Sequence, residues 1–254
     1  IANGICKYFG VPTMSMALIA LIITVAFILG SSLSVLAQGT PTDAIDAIEH
    51  QQFDKAQEQD LVLEAMNANQ SRTKQIFINH RNAFKDLNAS ENDLTFGVPY
   101  KVYVPGRDFI QAFMADKPIA DLLEKADYFW EVPVLYKGQP IDSFTVEFYE
   151  NKWQIGEMGS HNTRDSIGIA SQPEQIIKLV GNNDINNINT FIHFRVLPLH
   201  SDYLYVASDK GEFLYPMIHG RSELFGLKSQ TFYSRQLVAD KIKPVLQELI
   251  SNAD

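Results

Sequence analysis

The order of apolar and polar positions divides the chain into three parts. An uncharged stretch runs from Tyr8 to Thr42, and its densest apolar section is Ala17–Leu29. A polar stretch follows, in which apolar residues recur only at the three- and four-residue intervals of a helix. From Leu94 the chain changes to short runs of β-branched and aromatic residues bounded by Gly, Pro and Asn. The pattern predicts an N-terminal apolar segment, a helical region and a region that mixes strands with helices.

The first part, residues 1–37, is typical of a secretory signal peptide. Its apolar run is followed by small residues and by Val35-Leu36-Ala37, which places Val35 and Ala37 where a cleavage site carries small side chains. An uncleaved membrane anchor is the alternative, because Ala17–Ala37 holds no charge and as a helix would span the roughly 30 Å hydrocarbon core. Lys7 favours an N-terminus that stays inside in both cases. We therefore expect the rest of the chain to be extracytoplasmic, either secreted or associated with the cell envelope.

Residues 38–93 are expected to form a helical spacer or hairpin. Asn67-Ala68-Asn69 interrupts the helical pattern, and Ser71 is placed to begin a second helix. The apolar residues that define the two helices are Ile45, Ile48, Phe53, Leu61, Leu63 and Met66 before the interruption and Ile76, Phe77, Phe84 and Leu87 after it.

Residues 94–254 are predicted to form an α+β domain. Its first elements are a strand, Pro99–Val104, and a helix over Arg107–Lys125 that Pro118 interrupts. A three-stranded meander is then expected, because the two connections are short and contain Gly and Asn. Its strands are Tyr128–Tyr136, Ile141–Tyr149 and Trp153–Met158.

A second block follows the same plan. A helix begins at Ser171 or Gln172, with Pro173 in its first turn, and the last helix is Arg235–Ser251. The strands predicted between them are Phe191–Leu199, Tyr203–Ser208, Glu212–Ile218 and a short one near Gln230–Tyr233. The two blocks, residues 94–165 and 166–254, are either a duplicated α+β unit or parts of a single sheet. We expect an α+β fold in which helices pack on one face of an antiparallel sheet.

Part of the first meander resembles known modules. The likeness is carried by Trp130-Glu131-Val132-Pro133-Val134, Lys137-Gly138-Gln139-Pro140, Phe144-Thr145-Val146 and Lys152-Trp153-Gln154-Ile155-Gly156. These segments resemble small exported bacterial α+β modules of the PepSY-like, cystatin-like or protease-propeptide kind, over about residues 128–159. The resemblance implies a role as inhibitor, chaperone or tether. It assigns no functional residue, because the matched positions are mostly turn and core residues.

The charge balance excludes some partners. The chain carries 30 acidic and 21 basic residues, a formal net charge of −9. Nucleic acids and anionic lipid headgroups require a basic surface, so neither is expected as the main partner. Contact with a membrane is expected only through the N-terminal segment, if that segment is not cleaved. The single cysteine, Cys6, precedes the apolar run, so the exported part is predicted to fold without a disulfide.

One predicted loop, Gly159–Ser166, holds candidate catalytic residues. His161, Asp165 and Ser166 supply an imidazole, a carboxylate and a hydroxyl, which a hydrolase uses as base and nucleophile. Catalytic triads are normally assembled from distant segments and backed by an oxyanion hole, and the chain has no Gly-x-Ser-x-Gly turn. We therefore interpret the segment as a solvated loop and keep catalysis as the alternative.

The histidines of the second block are the candidate metal ligands. His193 and His219 would have to converge from different strands to bind zinc or copper. The chain has no His-x-His or His-Glu-x-x-His pair, and the alternation around His193 also fits a side chain on the solvent face. We therefore predict neither a metal nor another cofactor.

Candidate binding residues are mainly aromatic. Trp130, Tyr136 and Trp153 belong to an aromatic-rich first block, and such rings form either a peptide- or glycan-binding groove or the core of the sheet. His219 and Arg221 follow a predicted strand, where binding residues often collect. Arg221 is suited to bind a carboxylate or phosphate, with an Arg–Glu surface pair as the alternative.

These observations favour a non-enzymatic, exported bacterial module that binds a protein or peptide, through exposed sheet edges or an aromatic groove. One alternative is a cell-envelope hydrolase that uses His161 and Asp165, or the pair His193 and His219. Another is an ectodomain that senses a small ligand or a metal ion on an uncleaved anchor.

Overall fold

The computed structural model describes residues 45–46, 48–53, 57–80, 87–159 and 164–251. The predicted signal peptide or anchor lies outside these ranges, and so does His161. Among the helices of the described residues, none is both long enough and apolar enough to cross a membrane.

Helices form where apolar residues recur at helical spacing, and the predicted interruptions separate them. Asn69 lies between the first two helices, and Pro118 lies between the third and fourth. The helices are α1 (Gln57–Ala68), α2 (Gln70–His80), α3 (Arg107–Met114), α4 (Ala120–Glu124), α5 (Arg164–Ala170), α6 (Pro173–Gly181) and α7 (Arg235–Ser251). A π-helical turn covers Glu49–Phe53, and 3-10 turns cover Glu91–Asp93 and Leu197–Leu199.

Most strands belong to one large sheet. The strands are β1 (Leu94–Phe96), β2 (Tyr100–Val104), β3 (Asp127–Tyr136), β4 (Gln139–Tyr149), β5 (Lys152–Met158), β6 (Ile188–Val196), β7 (Ser201–Ser208), β8 (Gly211–Ile218), β9 (Glu223–Leu224), β10 (Leu227–Lys228) and β11 (Tyr233–Ser234). The sheet has nine strands in the order β11-β8-β7-β6-β2-β3-β4-β5, with β1 paired to β3, and β9 pairs with β10 separately. This arrangement of helices with a mostly antiparallel sheet confirms the predicted α+β class.

The sheet consists of two antiparallel halves that meet at one parallel contact. The halves are β2-β3-β4-β5 and β6-β7-β8-β11, and between β2 and β6 the paired residues are Tyr103 and Phe194. Short turns set the register of the first half. In the two-residue turns Lys137-Gly138 and Glu150-Asn151 every φ is positive, from 51° to 79°, and this conformation matches the twist of the flanking strands.

The π-helical turn occupies the space where β2 and β6 diverge. Gln51 Oε1 accepts a hydrogen bond from the backbone N–H of Phe191 in β6, and the Gln51 carbonyl accepts one from the Tyr103 hydroxyl in β2. The Gln51 side chain therefore satisfies a strand amide that would otherwise require a neighbouring strand.

Helices cover both faces of the sheet in the described part of the chain. Alternate residues of β6 belong to two clusters: Phe191 packs with α6 on one face, and Phe194 packs with α3 and α7 on the other. The sequence predicted helices on one face only. That prediction was too narrow because β6 and β7 are buried along most of their length, so both of their faces need to be covered.

The helices α1 and α2 pack on the first half of the sheet. Val62, Met66 and Phe77 lie in one apolar cluster with Trp130 of β3 and Phe144 of β4. Two residues assigned to the predicted apolar stripe, Leu61 and Leu63, are instead 50% and 36% exposed. The buried residue in this stretch is Val62, which lies between the two leucines, and it shares the buried face with Met66.

Two further local predictions were wrong. The last three residues of the predicted loop Gly159–Ser166 belong to α5, which begins at Arg164. The predicted strand Phe191–Leu199 ends at Val196, because Pro198 lies in a 3-10 turn that closes with His200 in the left-handed conformation.

Candidate functional site

An open cleft of about 860 Å³ lies at one end of the sheet. The C-terminal ends of β2, β4 and β6 meet there with the N-terminal ends of β3 and β5, which follows from the alternating strand directions. The cleft is lined by Glu58, Val104, Glu124, Lys125, Ala126, Asp127, Tyr128, Phe129, Thr145, Glu147, Phe148, Trp153, Glu157, Arg195 and Leu197.

Exposed apolar side chains line part of the cleft. Phe148 is 58% exposed and Leu197 is 60% exposed. The Phe148 ring lies 5.3 Å from the ring of Trp153 between centroids, at an interplanar angle of 58°. Large apolar side chains that remain exposed beside a cavity are typical of binding surfaces.

Glu147 is held in the cleft by its neighbours. The Thr145 hydroxyl donates a hydrogen bond of 2.9 Å to Glu147 Oε1 and accepts one of 2.8 Å from the backbone N–H of Glu157. Both side chains pass close to Gly156. A Cβ atom at Gly156 would lie 2.6 Å from Glu147 Oε1 and 2.7 Å from Thr145 Oγ1. The glycine is therefore required for this position of the carboxylate.

Carboxylates outnumber basic groups in the cleft. Two of the charged groups are already compensated: Glu58 lies 3.3 Å from Lys101, and Arg195 is paired with Glu131 and Asp202. Lys125 is the other basic residue of the lining. The lining holds a larger set of carboxylates, which includes Glu124, Asp127 and Glu147.

Arg195 connects the cleft to a buried charge network, which consists of Glu131, His193, Arg195, Asp202 and His219. Arg195 Nε donates to Asp202 Oδ1 at 2.7 Å, and its Nη2 donates to Asp202 Oδ2 at 2.9 Å and to Glu131 Oε2 at 3.0 Å. The guanidinium carbon lies 5.0 Å from the centre of the Phe129 ring. One cation thus joins β3, β6 and β7 below the cleft.

Two imidazoles share the carboxylate of Asp202. His193 Nε2 lies 3.0 Å from Asp202 Oδ2, and His219 Nε2 lies 2.9 Å from Asp202 Oδ1. Because the carboxylate can only accept when ionised, each imidazole must carry its proton on Nε2. Asp202 and His193 are fully buried, and the His219 side chain is 11% exposed.

The pKa values follow from burial and pairing. Burial opposes the charge of Asp202, but Arg195 and the hydrogen bonds from His193 and His219 hold the pKa of Asp202 well below its usual range. Burial likewise opposes the charge of Arg195, but Asp202 and Glu131 raise its pKa. Burial, with the charges of Glu131 and Asp202, raises the pKa of Tyr100 well above its ordinary value. Asp202 and Arg195 are therefore ionised, and Tyr100 is neutral, at ordinary pH.

The network is closed against the solvent by aromatic packing. The Tyr100 ring stacks on His193 at 5.6 Å between centroids and 14° between planes. His193 Nδ1 is buried without a hydrogen-bond partner among the described residues. Asp202 thus holds both imidazoles by their Nε2 atoms, and the fully buried ring of His193 does not reach the cleft. The arrangement ties β6, β7 and the end of β8 together.

A second depression, the helix–strand groove, runs beside β5. It has a volume of about 470 Å³ and lies between α1 and α2 on one side and β5 on the other. The strand β5 forms the edge of the sheet, and none of its residues is buried. Trp153 lines both the groove and the cleft, so the two depressions adjoin.

The predicted binding residues are dispersed over the structure. Trp130 is fully buried in the sheet core, so its ring cannot contact a ligand at the surface. Trp153 is partly exposed in the cleft, whereas Tyr136 lies at the opposite end of β3. His219 belongs to the buried charge network, and Arg221 is exposed in the turn that follows β8.

The predicted catalytic and metal residues do not assemble into a reaction centre in the described part of the chain. Asp165 is exposed on α5, and Ser166 is buried, with Gln230 Nε2 at 3.4 Å. His193 and His219 are brought together, but through Asp202. The alternative of a solvent-facing His193 was wrong. Among the described residues, no three His, Cys, Asp or Glu side chains are arranged to hold a metal ion.

The sequence reasoning missed Glu147, Gly156, Arg195 and Asp202. Gly156 carried a usable signal, since a glycine inside a strand marks a close approach. Comparison with protein-family models, with curated proteins and with solved structures gave no match.

Proposed function

We propose that the chain is a non-enzymatic module that binds an extended peptide by strand addition to β5. The observation that carries the proposal is the edge position of β5 beside an open groove. An edge strand offers unpaired backbone groups along its outer side, and a peptide that pairs with them gains hydrogen bonds at every second residue.

The groove supplies the side-chain contacts that such binding requires. Its lining includes Trp153 and Ile155 of β5 and Ile76 of α2, so alternate side chains of an added strand would meet apolar surface. A role as inhibitor, chaperone or tether is compatible with this mode of binding. The apolar segment at residues 8–42 supports a location outside the cytoplasm, either secreted or at the cell envelope.

The hydrolase alternative ranks second. It requires a base and a nucleophile within hydrogen-bond distance in an accessible cleft. Asp165 and Ser166 diverge on α5, one exposed and the other buried, and His193 is fully buried. This arrangement gives peptide binding more support than hydrolysis.

The test is a selection of random peptides on the immobilised full-length chain, followed by backbone N-methylation of the peptides recovered. Strand addition requires that methylation at alternate positions abolishes binding and that methylation at the intervening positions does not. Trp153→Ala is expected to weaken binding, and Tyr136→Ala, at the far end of β3, serves as the matched control. Binding that tolerates methylation at every position would contradict strand addition.

A further inference from the structure

We propose that the cleft binds an uncharged saccharide at the point where β3 and β4 diverge. Such binding goes beyond strand addition and is independent of it, because the outer edge of β5 takes no part. The site is defined by the strand register and by two side chains whose positions are fixed, Arg195 and Glu147.

The cleft opens where two neighbouring strands separate. At this end of the sheet the last pair between β3 and β4 is Trp130 with Val146. Beyond it β3 continues over residues 127–129, paired with β2, and β4 continues over residues 147–149, paired with β5. Residues of both segments line the cleft. Because an antiparallel pair exchanges hydrogen bonds only at every second residue, segments of this length favour a compact ligand over an added strand.

The same register places Phe129 and Glu147 on one face of the sheet. Each is the first residue beyond the pair of Trp130 and Val146, and side chains alternate between the two faces along a strand. Phe129 and Glu147 therefore flank the opening from the face opposite to Trp130. The Arg195 guanidinium lies against the Phe129 ring, with 5.0 Å between its central carbon and the ring centre.

Arg195 supplies a hydrogen-bond donor. Its side chain is 6% exposed, and its Nε and Nη2 atoms donate to Asp202 and Glu131. Nη1 donates to none of the described residues, yet it is not fully buried, so its N–H groups are available to the cleft that Arg195 lines. Because two carboxylates hold the guanidinium, these free N–H groups keep a fixed direction.

Glu147 supplies a hydrogen-bond acceptor. Its Oε1 accepts the hydrogen bond of the Thr145 hydroxyl, and its Oε2 accepts none from the described residues. Gly156 is required for this position, because a Cβ there would lie 2.6 Å from Oε1. Among the described residues, Arg195 forms its ion pairs with Glu131 and Asp202 and none with Glu147. The cleft thus leaves room for a ligand between donor and acceptor.

A donor and an acceptor beside an aromatic ring match the chemistry of a sugar. A hydroxyl group can accept a hydrogen bond from Nη1 of Arg195 and can also donate one to the Glu147 carboxylate. A ligand with only one kind of group would leave the other protein group unpaired after desolvation. The half-buried Phe129 ring supplies an apolar surface for the C–H groups of the sugar.

The charge balance excludes the acidic ligands that an arginine commonly binds. The positive charge of Arg195 is already compensated by Asp202 and Glu131. The carboxylates of Glu147 and Glu157, which also line the cleft, repel a further anion. An uncharged saccharide meets the free donor and the free acceptor without this repulsion.

Chemical-shift titration of the full-length protein tests the site. The probes are uncharged trisaccharides of α-linked glucose, β-linked glucose, β-linked mannose and N-acetylglucosamine, with trigalacturonate as the acidic counterpart. At least one uncharged trisaccharide is expected to shift the backbone amide signals of Phe129, Thr145 and Glu147 in a saturable titration. Trigalacturonate is expected to leave these signals unchanged.

Variants locate the binding site. Glu147→Ala removes the acceptor at an exposed position and is expected to weaken saccharide binding about tenfold, the loss expected for one hydrogen bond to a charged group. Gly156→Ala should cause a similar loss, because its Cβ displaces the Glu147 carboxylate. Glu223→Ala changes an exposed carboxylate in β9, outside the cleft lining, and is the matched control with no expected effect. Circular dichroism confirms that each variant is folded.

The outcomes separate this site from strand addition to β5. No saturable shift from any uncharged trisaccharide up to about 10 mM, where a ligand of millimolar affinity is detected, would overturn the saccharide site. Equal binding of trigalacturonate, or full affinity in folded Glu147→Ala, would overturn it as well. Shifts at the cleft that selected peptides cause and no saccharide causes would assign the cleft to a peptide instead. Saccharide binding that depends on Glu147 would support the inference even if N-methylated peptides disprove strand addition.

Discussion

At the scale of single residues, Asp202 joins the cation and both imidazoles of the buried charge network. Its two oxygens accept hydrogen bonds from Arg195, His193 and His219. A buried carboxylate is tolerated only when such partners compensate for the lost hydration. An asparagine here would keep one acceptor oxygen but place an NH2 donor against the remaining N–H groups, and Glu131 would be the remaining anionic partner of Arg195 in the network.

Asp202→Asn is therefore expected to lower the free energy of unfolding by roughly 3–5 kcal/mol, the usual result of breaking a buried ion pair. Urea denaturation measures the loss. Asp165→Asn changes an exposed carboxylate and should cost less than about 0.5 kcal/mol. If both variants lost equally little, the network would not be a stabilising element.

The contacts of Asp202 also predict how the stability of the fold depends on pH in acid. Folding lowers the pKa of Asp202 from its ordinary value of 3.8. The stabilisation is therefore fully present above that value and disappears as the pH falls through the lower pKa of the folded state. The difference in unfolding free energy between the native protein and Asp202→Asn should stay large as the pH falls towards 4 and should shrink only below it.

Two buried tyrosines predict the behaviour in alkali. Burial is the main cause that raises the pKa of Tyr203 and of Tyr215 to about 12 each. Their contribution to the free energy of unfolding is fully present below the ordinary pKa of 10.0 and is lost as the pH rises through about 12. Absorbance at the phenolate band, recorded together with circular dichroism, should show both ionising late and with the loss of structure. Tyr203→Phe should reduce the alkaline loss of stability, whereas Tyr149→Phe, at an exposed position, should not.

At the scale of elements, the contact between β2 and β6 depends on the π-helical turn. Gln51→Ala removes the acceptor of the Phe191 N–H. An unsatisfied buried amide costs about 1–3 kcal/mol. We expect denaturation to show a loss of unfolding free energy of that size, and we expect faster hydrogen exchange at the Phe191 amide. Gln236→Ala, on the exposed face of α7, is the control and should change neither. Unchanged exchange at Phe191 in Gln51→Ala would contradict the role given to this side chain.

The elements that local signals define were predictable from the sequence. Each of the turns Lys137-Gly138 and Glu150-Asn151 carries one residue suited to positive φ, Gly138 or Asn151, so the meander β3-β4-β5 follows from them. Helix α6 begins at Pro173, as its first-turn proline indicates. In contrast, α5 was not predicted, because its seven residues show no apolar period long enough to identify a helix.

The site was predicted only in part, because its residues meet through the register of distant strands. Trp153 was identified from its chemistry, and it does line the cleft. Asp202, however, contacts His193 only because β6 and β7 pair Arg195 with Asp202 across the hairpin. No local pattern around Asp202 distinguishes it from a surface carboxylate, so its role required the structure.

At the scale of the whole molecule, the question is whether the helical region folds together with the sheet. The sequence predicted residues 38–93 as a spacer or hairpin apart from an α+β domain. In the described residues, α1 and α2 share a core with the sheet: Phe77 is fully buried and its ring lies 6.1 Å from that of Phe144 in β4. An apolar interface of this kind couples the stability of the two parts.

Phe77→Ala tests that coupling. Removal of a buried aromatic ring costs about 3–5 kcal/mol, and if the helices and sheet form one cooperative unit the loss should appear in a single transition by every probe. Leu61→Ala, at a position 50% exposed on the same pair of helices, should cost much less than Phe77→Ala. A helical region that folds by itself would give a different result. The far-ultraviolet circular dichroism of Phe77→Ala would fall at a low denaturant concentration, while the fluorescence of Trp130 in the sheet would report an unchanged denaturation midpoint. Coincidence of the two probes would establish that the helix–strand groove between α1, α2 and β5 is part of one folded body.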